Sequence, residues 1–367
     1  MSKNNPLKVL TIVGARPQFI KSATVSRLIN LEKNNTIKEV IVHTGQHYDD
    51  NMSDLFFREL EIPTPLYNLN VGSGSHAQQT GSIMIGLEKI VSTETPDIML
   101  VYGDTNSTLA GALVAAKTSC KLAHVEAGLR SYRRGMPEEV NRVVTDNLSD
   151  ILFCPTITAK DNLVLEGKGS NSLVVGDVMY DSYLYYANKL DINKVLYSFN
   201  LQHNQYLLAT IHRAENTDNP SNLKSIFSAL KTFLPDMDIV LPLHPRTKKV
   251  VKELHISLDG FHVIDPVSYR TMISLLSGSR LIVTDSGGLQ KEAYFAKTPC
   301  VTVRDETEWV ETLVNGWNRI SPPGHKNDIV SSIKSAMDIN TNNSAYIESY
   351  GDGHASEKII SHLLKCT

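Results

Sequence analysis

Short apolar runs alternate with longer segments of helical periodicity along the chain. In the first half the runs read KVLTIVG, KEVIVHTG, DIMLVYGD, LAHVEAG, DILFC and SLVVGD. In the second half they read QYLLATIH, DIVLPLHP, FHVID, RLIVTDSGG and PCVTVR, with helical segments such as residues 222–233 and 247–258 between them. β-Branched runs that alternate with helices are typical of parallel strands joined by crossover helices, so the pattern predicts an α/β fold.

A polar segment at residues 189–204 interrupts this alternation once, and strands resume after it. A chain of 367 residues also exceeds what one hydrophobic core normally supports. We therefore expect two Rossmann-like, doubly wound domains, residues 1–185 and 186–367, that face each other across a cleft. The last helix is a candidate to pack back onto the first domain.

The residues that follow each apolar run are the first candidates for function, because ligands of doubly wound sheets bind beyond the carboxyl ends of the strands. These residues are rich in glycine, histidine, arginine and carboxylates, and they lie at positions 14–16, 43–47, 103–104, 126, 212–213, 244 and 286–288. Two facing domains are expected to bring both sets to one cleft.

Composition excludes several classes of function. A formal charge of -3, from 36 basic and 39 acidic residues with no basic block, disfavours a nucleic-acid partner. No apolar stretch approaches the roughly 20 residues of a membrane span, and the apolar run near the N-terminus is too short for a secretion signal. Four scattered cysteines without CxxC spacing complete the expectation of a cytoplasmic protein with reduced thiols.

The first turn, GARP, ends a strand and opens a helix with Pro17 near its start. A helix N-terminus beside a cleft binds anions, and Arg16 and Lys21 add two cationic donors for a diphosphate. The turn alone leaves an alternative equally open, in which Gly14 merely permits a tight turn and both cations are solvated.

A second candidate anion site is DSGG at residues 285–288, between a strand and a helix. Gly287 and Gly288 expose backbone N–H groups at the start of the helix, and Ser286 can cap that helix and donate to the same anion. One helical turn later, Glu292 is placed to accept hydrogen bonds from ribose hydroxyls. The alternative is an ordinary N-capped turn.

Three carboxylates of the first domain, Asp104, Glu126 and Glu138, lie at strand ends or in the loop after one. Several carboxylates beside a bound anion favour acid–base chemistry. The alternatives are structural: Asp104 caps a helix that starts near Thr108, and Glu138 is the N-terminal charge of a helix that begins at Pro137. Taken singly, either spacing favours the structural interpretation.

Two histidines, His212 and His244, end strands of the second domain close to an arginine. Two such pairs directed at one cleft favour contact with an anion over a merely structural role. His43 and His47 have the spacing of metal ligands, but they cross a strand–loop junction without an HExxH pattern, so no metal site is predicted.

Six segments, in this order, resemble motifs of the non-hydrolysing UDP-N-acetylglucosamine 2-epimerase family, whose fold is the two-domain glycosyltransferase-B type. They are GARPQFIK at 14–21, GDT at 103–105, HVEAGLR at 124–130, PEEVNR at 137–142, HRAEN at 212–216 and DSGGLQ at 285–290. The resemblance spans nearly the whole chain.

The resemblance implies a role for each matched position. The catalytic positions are Asp104, Glu126, Glu138 and His212, and the nucleotide-binding positions are Arg16, His244, Ser286, Gly287, Gly288 and Glu292, with Lys21 as a further basic residue near the active site. It also implies that UDP is expelled from carbon 1 while a carboxylate removes the proton from carbon 2. The bound 2-acetamidoglucal then recaptures UDP, with the proton returned on the other face. No metal or nicotinamide is required, and a homodimer is expected.

Departures from the common branch of the family bear on the substrate. The segments ARPQFIK at 15–21 and TEWVE at 307–311 look more like the branch that converts UDP-2,3-diacetamido-2,3-dideoxyglucuronate to its mannuronate epimer for surface polysaccharide. Arg133 and Arg134 supply positive charge that a uronate can use. Conversion of UDP-N-acetylglucosamine to UDP-N-acetylmannosamine is the alternative reaction. A hydrolysing 2-epimerase and a retaining glycosyltransferase of the same fold are the alternative enzymes.

Overall fold

A computed structural model of the chain describes residues 5–31, 36–46, 60–339 and 345–366. The chain divides into two compact units, one formed by Met1–Ser182 with Glu348–Thr367 and the other by Tyr183–Ile347. Each unit contains one sheet, and among the described residues every strand pairing is parallel. The predicted α/β class with two doubly wound sheets is confirmed.

The first unit is built on a seven-stranded sheet in the order β3-β2-β1-β4-β5-β6-β7. Its strands are β1 (Leu7–Val13), β2 (Ile37–His43), β3 (Tyr67–Asn68), β4 (Ile98–Tyr102), β5 (Lys121–Val125), β6 (Ile151–Cys154) and β7 (Ser172–Val174). Its first helices are α1 (Arg16–Leu31), α2 (His76–Glu94), α3 (Asn106–Ala115), α4 (Pro137–Leu148) and α5 (Ile157–Leu165).

The second unit is built on a six-stranded sheet in the order β10-β9-β8-β11-β12-β13. Helix α6 (Val178–Ala187) contains the boundary between the units. The strands are β8 (Tyr206–Thr210), β9 (Asp238–Pro242), β10 (His262–Ile264), β11 (Leu281–Thr284), β12 (Cys300–Thr302) and β13 (Asn318–Ile320). The helices are α7 (Ile192–Ser198), α8 (Ala214–Thr217), α9 (Pro220–Lys231), α10 (Pro245–Glu253), α11 (Tyr269–Gly278), α12 (Gly287–Phe295) and α13 (Lys326–Met337).

The central strands are buried on both faces. All five residues of β4 are buried, and Ile83 and Leu87 of α2 share a core cluster with Ile12 and Val101. A strand covered by helices on both faces has no solvent-facing positions, so its sequence is continuously apolar rather than alternating. This explains why the apolar runs predicted these strands correctly.

Helices α9 and α10 begin at Pro220 and Pro245, slightly before the predicted starts at residues 222 and 247. The side chain of Asn219 caps α9 by accepting from the backbone N–H groups of Ser221 and Asn222. A proline in the first turn lacks only an N–H group that the helix does not use. Each of these helices therefore begins with a polar, capped turn. The apolar residues from which the helix was predicted come after that turn.

The C-terminal helix α14 (Ala355–Leu363) belongs to the first unit. The Asp181 carboxylate accepts hydrogen bonds from the backbone N–H groups of Ala355 at 3.1 Å and Ser356 at 2.7 Å. The Ser356 hydroxyl lies 2.8 Å from that of Thr24 in α1. These buried contacts cap the start of α14 and fix it against α1.

The strand order reverses once in each sheet. In the first sheet the reversal lies between β1 and β4, and in the second between β8 and β11. The carboxyl ends of adjacent parallel strands meet at one edge, so this reversal opens a crevice there for a ligand. The residues after these strands are therefore brought together within each unit.

The described cysteines are free thiols, and three of the four are buried. Burial raises the pKa values of Cys120, Cys154 and Cys300 to about 12, which keeps them protonated. No helix in the described ranges combines the length and apolar character that a bilayer crossing requires.

A carboxyl group is enclosed between β1, β2 and α1. Glu39 accepts hydrogen bonds from the hydroxyl groups of Thr11 at 2.6 Å and Ser26 at 3.0 Å. Burial raises its pKa to about 7, although both hydrogen bonds oppose the shift. The stability that protonated Glu39 contributes is thus present below its ordinary value of 4.5 and is lost as the pH rises through about 7.

Glu39→Gln is expected to raise the melting temperature at pH 8 by several degrees, because a pKa raised from 4.5 to about 7 corresponds to about 3 kcal/mol and each kcal/mol shifts the melting temperature of a domain of this size by about 2–4 °C. At pH 4.5 the variant and the wild type should melt together, because glutamine resembles the protonated acid. Calorimetry across this pH range measures the difference. Glu94→Gln is the control of opposite sign, because the Lys8 hydrogen bond lowers the pKa of Glu94. A Glu39→Gln curve parallel to the wild type would contradict the prediction.

Candidate active site

Strand β4 ends in a tight turn that carries Asp104. Gly103 has a φ of +63°, a left-handed conformation that favours glycine, and Thr105 is the N-cap of α3. The Thr105 hydroxyl accepts a hydrogen bond from the backbone N–H of Thr108 at 3.4 Å. The alternative prediction that Asp104 caps this helix is therefore wrong, because the next residue already supplies the cap.

The Asp104 carboxylate instead pairs with a guanidinium group from α4. Arg142 donates from Nη2 to Asp104 Oδ2, and its Nη1 lies 3.2 Å from Glu139 Oε2. Asn141 donates from Nδ2 to the Asp104 carbonyl oxygen at 2.9 Å. Helix α4 therefore holds both the backbone and the carboxylate of Asp104. The Arg142 side chain that does so is only 2% exposed.

Glu126 follows β5 in a conformation that is rare for a residue with a side chain. Its φ of +74° is strained, and such strain persists where the surrounding structure holds it, often at functional sites. The nearly buried carboxylate forms an ion pair with Lys21 Nζ of α1. A Cβ atom added at Gly103 would lie 2.9 Å from Lys21 Nζ and 3.5 Å from Glu126 Oε2. The ion pair therefore lies against the turn that carries Asp104.

Glu138, the third carboxylate, lies in the first turn of α4. The predicted helix start at Pro137 is confirmed. Glu138 is half-buried, and no ion pair joins it to a cation within the described ranges. Its helical spacing from Arg142, four residues later, places both side chains on one face of α4. Since Arg142 contacts Asp104, this face brings Glu138 to the same edge of the sheet.

The loop before α4 carries Arg133 and Arg134, and both residues are exposed. Glu139 fixes the path of the loop: it accepts hydrogen bonds from the backbone N–H groups of Ser131 and Tyr132, both at 2.9 Å. Glu139 thus fixes the backbone that leads to Glu138, whereas Arg133 and Arg134 lie at the surface.

The Gln18 side chain binds backbone N–H groups of the first turn, where the sequence predicted a bound anion. Its Oε1 accepts from the N–H groups of Gly14 at 2.8 Å and Ala15 at 3.1 Å, and its Nε2 donates to the carbonyl oxygen of Tyr102 at 2.9 Å. These two N–H groups are therefore satisfied within the protein, and Gln18 joins the ends of β1 and β4. Arg16 lies exposed at the first position of α1.

In the second unit, buried Asp285 holds the end of β8 against the end of β11. Its carboxylate accepts hydrogen bonds from the backbone N–H groups of His212 at 3.1 Å and Arg213 at 3.0 Å, and from Asn216 Nδ2 at 3.1 Å. His212 Nδ1 lies 3.4 Å from Asp285 Oδ1, and 49% of the His212 side chain is exposed. Asp285 thus fixes the backbone of His212 while the ring stays accessible.

The N-terminus of α12 has the features predicted for an anion site. The Ser286 hydroxyl accepts from the backbone N–H of Leu289 at 3.3 Å, which confirms the predicted cap. A Cβ atom at Gly287 would lie 3.0 Å from Glu308 Oε1 and 3.3 Å from Arg213 Nη2. Glycine at this position therefore lets a guanidinium group approach the start of the helix, and half-buried Gly288 follows it.

A second guanidinium group lies at the same helix end. Buried Arg304 places Nη1 3.9 Å from the Cβ position of Gly287 and 3.1 Å from Glu308 Oε2. Arg213 and Arg304 outnumber the Glu308 carboxylate beside this helix N-terminus, and their planar donors match phosphate oxygens. This end of α12 is suited to a diphosphate.

Glu292 and His244 are the other predicted nucleotide-binding residues of this unit. Glu292 is buried in α12, and burial together with the nearby Glu292 carboxylate raises the pKa of Tyr269 in α11, so the phenol stays a donor. His244 is exposed and caps α10 by accepting from the backbone N–H of Arg246 at 3.3 Å. Its strand β9 pairs with β8, which ends just before His212.

Several residues to which the sequence analysis gave no role hold the candidates in place. They are Gln18, Asn141, Arg142, Asp285 and Arg304. The sequence offered one indication for Asn141 and Arg142, because they lie at helical spacing from the candidate Glu138. It did not reveal their partner, because Asp104 is distant in sequence. No group of three or more His, Cys, Asp or Glu side chains among the described residues can hold a metal ion. His47 lies outside these residues.

The family profile described as UDP-N-acetylglucosamine 2-epimerase matches residues 29–364. A Methanococcus maripaludis protein named UDP-N-acetylglucosamine 2-epimerase homolog is 50% identical over 365 residues, covering 97% of this chain and 99% of its own length. The UDP-2,3-diacetamido-2,3-dideoxy-D-glucuronate 2-epimerase of Pseudomonas aeruginosa is 48% identical over 363 residues, covering 98% of this chain and 100% of its own.

A solved structure extends this similarity to three dimensions. The Methanocaldococcus jannaschii UDP-GlcNAc 2-epimerase in complex with UDP-GlcNAc and UDP matches with a TM-score of 0.89 and 40% identity. The match covers 98% of this chain and 100% of that one. Together, the family profile and the full-length relatives show that the chain belongs to the UDP-N-acetylglucosamine 2-epimerase family.

Proposed function

We propose that this enzyme inverts carbon 2 of a UDP-linked 2-acetamido sugar by elimination and re-addition of UDP. The observation that carries the proposal is the group of carboxylates at one edge of the first sheet. Glu126 forms an ion pair with Lys21 that lies against Gly103. Asp104, the residue after Gly103, forms an ion pair with Arg142. Glu138 lies on the same face of α4 as Arg142.

In this reaction the bonds balance without an oxidant or reductant. The proton of carbon 2 passes to a carboxylate, the bond from carbon 1 to the diphosphate oxygen breaks with its electron pair on oxygen, and a double bond forms between carbons 1 and 2. UDP then adds back to carbon 1 on the face that it left, and a proton is delivered to carbon 2 on the face opposite to the one from which the first proton was removed. The product differs from the substrate only at carbon 2.

The ion pairs suggest how the three carboxylates divide this work. Asp104 and Glu126 each form an ion pair, with Arg142 and Lys21 respectively. We assign proton transfer at carbon 2 to Glu138 on one face and to the more exposed Asp104 on the other. Nearly buried Glu126 remains charged and stabilises the positive charge that develops on the ring as UDP departs.

The second unit supplies groups for the leaving nucleotide. Negative charge grows on the diphosphate as its bond to carbon 1 breaks, and the N-terminus of α12 with Arg213 and Arg304 stabilises that charge. The Ser286 hydroxyl and the backbone N–H groups of Gly287 and Gly288 are further donors at the same helix end. His212 is assigned to the diphosphate, and buried Glu292 is assigned to the ribose.

For the substrate, we favour UDP-2,3-diacetamido-2,3-dideoxyglucuronate, with the mannuronate epimer as product for surface polysaccharide. Two observations support this choice: the similarity to the Pseudomonas aeruginosa relative named for this reaction, and the exposed pair Arg133 and Arg134 on the loop that leads to Glu138. UDP-N-acetylglucosamine is the alternative substrate, because other relatives carry that name.

We also infer a cytoplasmic homodimer. Protonated, buried thiols and a nucleotide-sugar substrate support the cytoplasm. Exposed apolar side chains on the first unit, Ile157, Val164 and Leu165 of α5, support association of two copies because large apolar side chains seldom cluster on the surface of a monomer.

Incubation with each UDP-sugar in deuterated water, without added metal or NAD, is expected to yield a C2 epimer that carries deuterium at carbon 2. The exchange follows because the abstracted proton resides on a carboxylate that equilibrates with solvent. NMR of the products measures it. Retention of the original hydrogen would indicate oxidation and reduction, and release of free sugar with UDP would indicate a hydrolysing enzyme. Either outcome would contradict the proposed function.

A further inference from the structure

A carboxylate, Glu308, holds Arg304 beside the N-terminus of α12. Glu308 Oε2 accepts from Arg304 Nη1 at 3.1 Å, and only 8% and 4% of the two side chains are exposed. A Cβ atom added at Gly287 would lie 3.0 Å from Glu308 Oε1 and 3.9 Å from Arg304 Nη1. The ion pair therefore lies against the first residue of the helix to which the diphosphate is assigned.

Charge alone does not account for a carboxylate beside a site assigned to a diphosphate. Glu308 lowers the positive potential that Arg304 and the helix N-terminus present to an anion. An arginine that is free to change rotamer, however, loses conformational entropy when a ligand orders it. Because Glu308 already holds the guanidinium group, that loss occurs on folding and not on binding. Orientation of Arg304 is therefore the role that fits the position of Glu308.

The residue before Glu308 is attached to α12 by a buried hydrogen bond. The Thr307 hydroxyl donates to Gln290 Oε1 at 2.7 Å and accepts from the backbone N–H of Trp309 at 3.0 Å. Gln290 is completely buried, and its Oε1 also accepts from Asn318 Nδ2 in β13 at 3.0 Å. Thr307 is thus joined through Gln290 to both the helix and the sheet.

The residue after Glu308 is attached to the same helix through a cation. Lys291 Nζ of α12 lies 3.7 Å from the centre of the Trp309 ring, and both residues are buried. A cation over the face of an indole ring is attracted by the electron-rich face, more strongly when both groups are out of water. Since Gln290 and Lys291 are consecutive, a single turn of α12 holds both neighbours of Glu308.

We propose that Glu308 is a positioning residue that orients Arg304 toward the diphosphate. Thr307 and Trp309 fix Glu308 from either side, because both are held by α12. The helix thus offers its N-terminus to the anion and also, through these contacts, determines where the neighbouring guanidinium group lies. Arg304 is held where negative charge develops as the bond to carbon 1 breaks. This inference rests on the proposed function, which assigns a diphosphate to this end of α12.

A matched pair of variants separates orientation from charge. Glu308→Gln keeps an oxygen that can accept from Arg304, whereas Glu308→Met is as long but offers no oxygen. We expect Glu308→Met to raise the Kd for UDP and to lower kcat, each by about tenfold, and Glu308→Gln to change both clearly less. Calorimetric titration with UDP and steady-state kinetics measure these effects. If Glu308 acted by charge alone, both variants would bind UDP more tightly than the wild type, and that result or equal losses in both would refute the proposal.

A second pair tests the attachment of Glu308 to α12. Thr307→Ser keeps the hydroxyl group, whereas Thr307→Val has the shape of threonine without it. We expect UDP affinity to fall by about fivefold in Thr307→Val and to be nearly retained in Thr307→Ser. Added to Glu308→Met, Thr307→Val should cause little further loss, because residues that act through one another are not additive. Full additivity would show that the Thr307 hydroxyl does not act through Glu308 and would refute the attachment.

Thr298→Val is the control for the loss of a buried hydroxyl group. Thr298 donates to the Leu276 carbonyl oxygen at 3.4 Å and lies beyond the other end of α12, so this variant should bind UDP and turn over like the wild type. Circular dichroism checks that every variant is folded. If Thr307→Val does not fold, Trp309→Phe and Trp309→Leu take its place, since only phenylalanine keeps a ring face for Lys291. Equal UDP affinities in that pair would likewise refute the attachment.

The outcomes distinguish this inference from the proposed function. A wild type that binds UDP and shows these differences between variants, but epimerises neither UDP-sugar, would refute the proposed function and leave the positioning role intact. An active epimerase in which Glu308→Gln and Glu308→Met bind UDP equally well would refute the positioning role alone.

Discussion

Asp104→Asn, Glu126→Gln and Glu138→Gln are each expected to lower turnover by about a hundredfold or more while UDP binding stays nearly unchanged. An amide cannot accept the proton of carbon 2 and carries no charge to stabilise the ring as UDP departs. Most of the groups assigned to UDP lie in the other unit, so its affinity should survive. Steady-state kinetics and calorimetric titration with UDP measure the two effects. Near-normal turnover in all three variants would show that the site is assigned wrongly.

Thermal stability should separate the three variants. Glu126→Gln leaves nearly buried Lys21 without its ion-pair partner, and Asp104→Asn removes a carboxylate from Arg142, which keeps its pair with Glu139, so both variants should melt earlier than the wild type. Glu138→Gln breaks no ion pair of the described residues and should melt with the wild type. Glu88→Gln, on the exposed face of α2, is the control for the loss of one carboxylate.

Much of the architecture was predictable because burial leaves a direct trace in the sequence. Strands buried on both faces, such as β4 and β8, appear in the sequence as continuous apolar runs. Strands β3 and β13 escaped prediction because they contain only 2 and 3 residues and include asparagine, so no run marks them. Their places are set by pairing with β2 and β12, which is a tertiary effect.

At the site, the identities of the carboxylates were predictable but their partners were not. Local spacing made Asp104 resemble a helix cap, and only the fold reveals that Thr105 is the cap and that Arg142, on a later helix, holds Asp104. The positive φ of Glu126 likewise has no signal in the sequence, since such strain is imposed by surrounding contacts. Interactions between residues distant in the chain appear only when the strands are placed side by side.

The substrate can be tested through the charge that distinguishes a uronate from acetylglucosamine. A uronate carries a carboxylate at carbon 6, and that charge must be paired when it leaves water. Arginine is the natural partner because its planar fork binds both oxygens. Glu139 fixes the loop backbone at Ser131 and Tyr132, so Arg133 and Arg134 extend from a defined base just before α4.

The double variant Arg133→Ala with Arg134→Ala is therefore expected to lower kcat/KM for UDP-2,3-diacetamido-2,3-dideoxyglucuronate by about thirtyfold, or roughly 2 kcal/mol. Activity on UDP-N-acetylglucosamine, which lacks the carboxylate, should change much less. The matched control is Lys248→Ala with Lys249→Ala, which removes two exposed positive charges from α10 in the other unit and should leave both activities unchanged. Equal losses on both sugars, or a wild type that prefers acetylglucosamine, would mean that these arginines do not recognise the carboxylate and that this enzyme acts within the common branch.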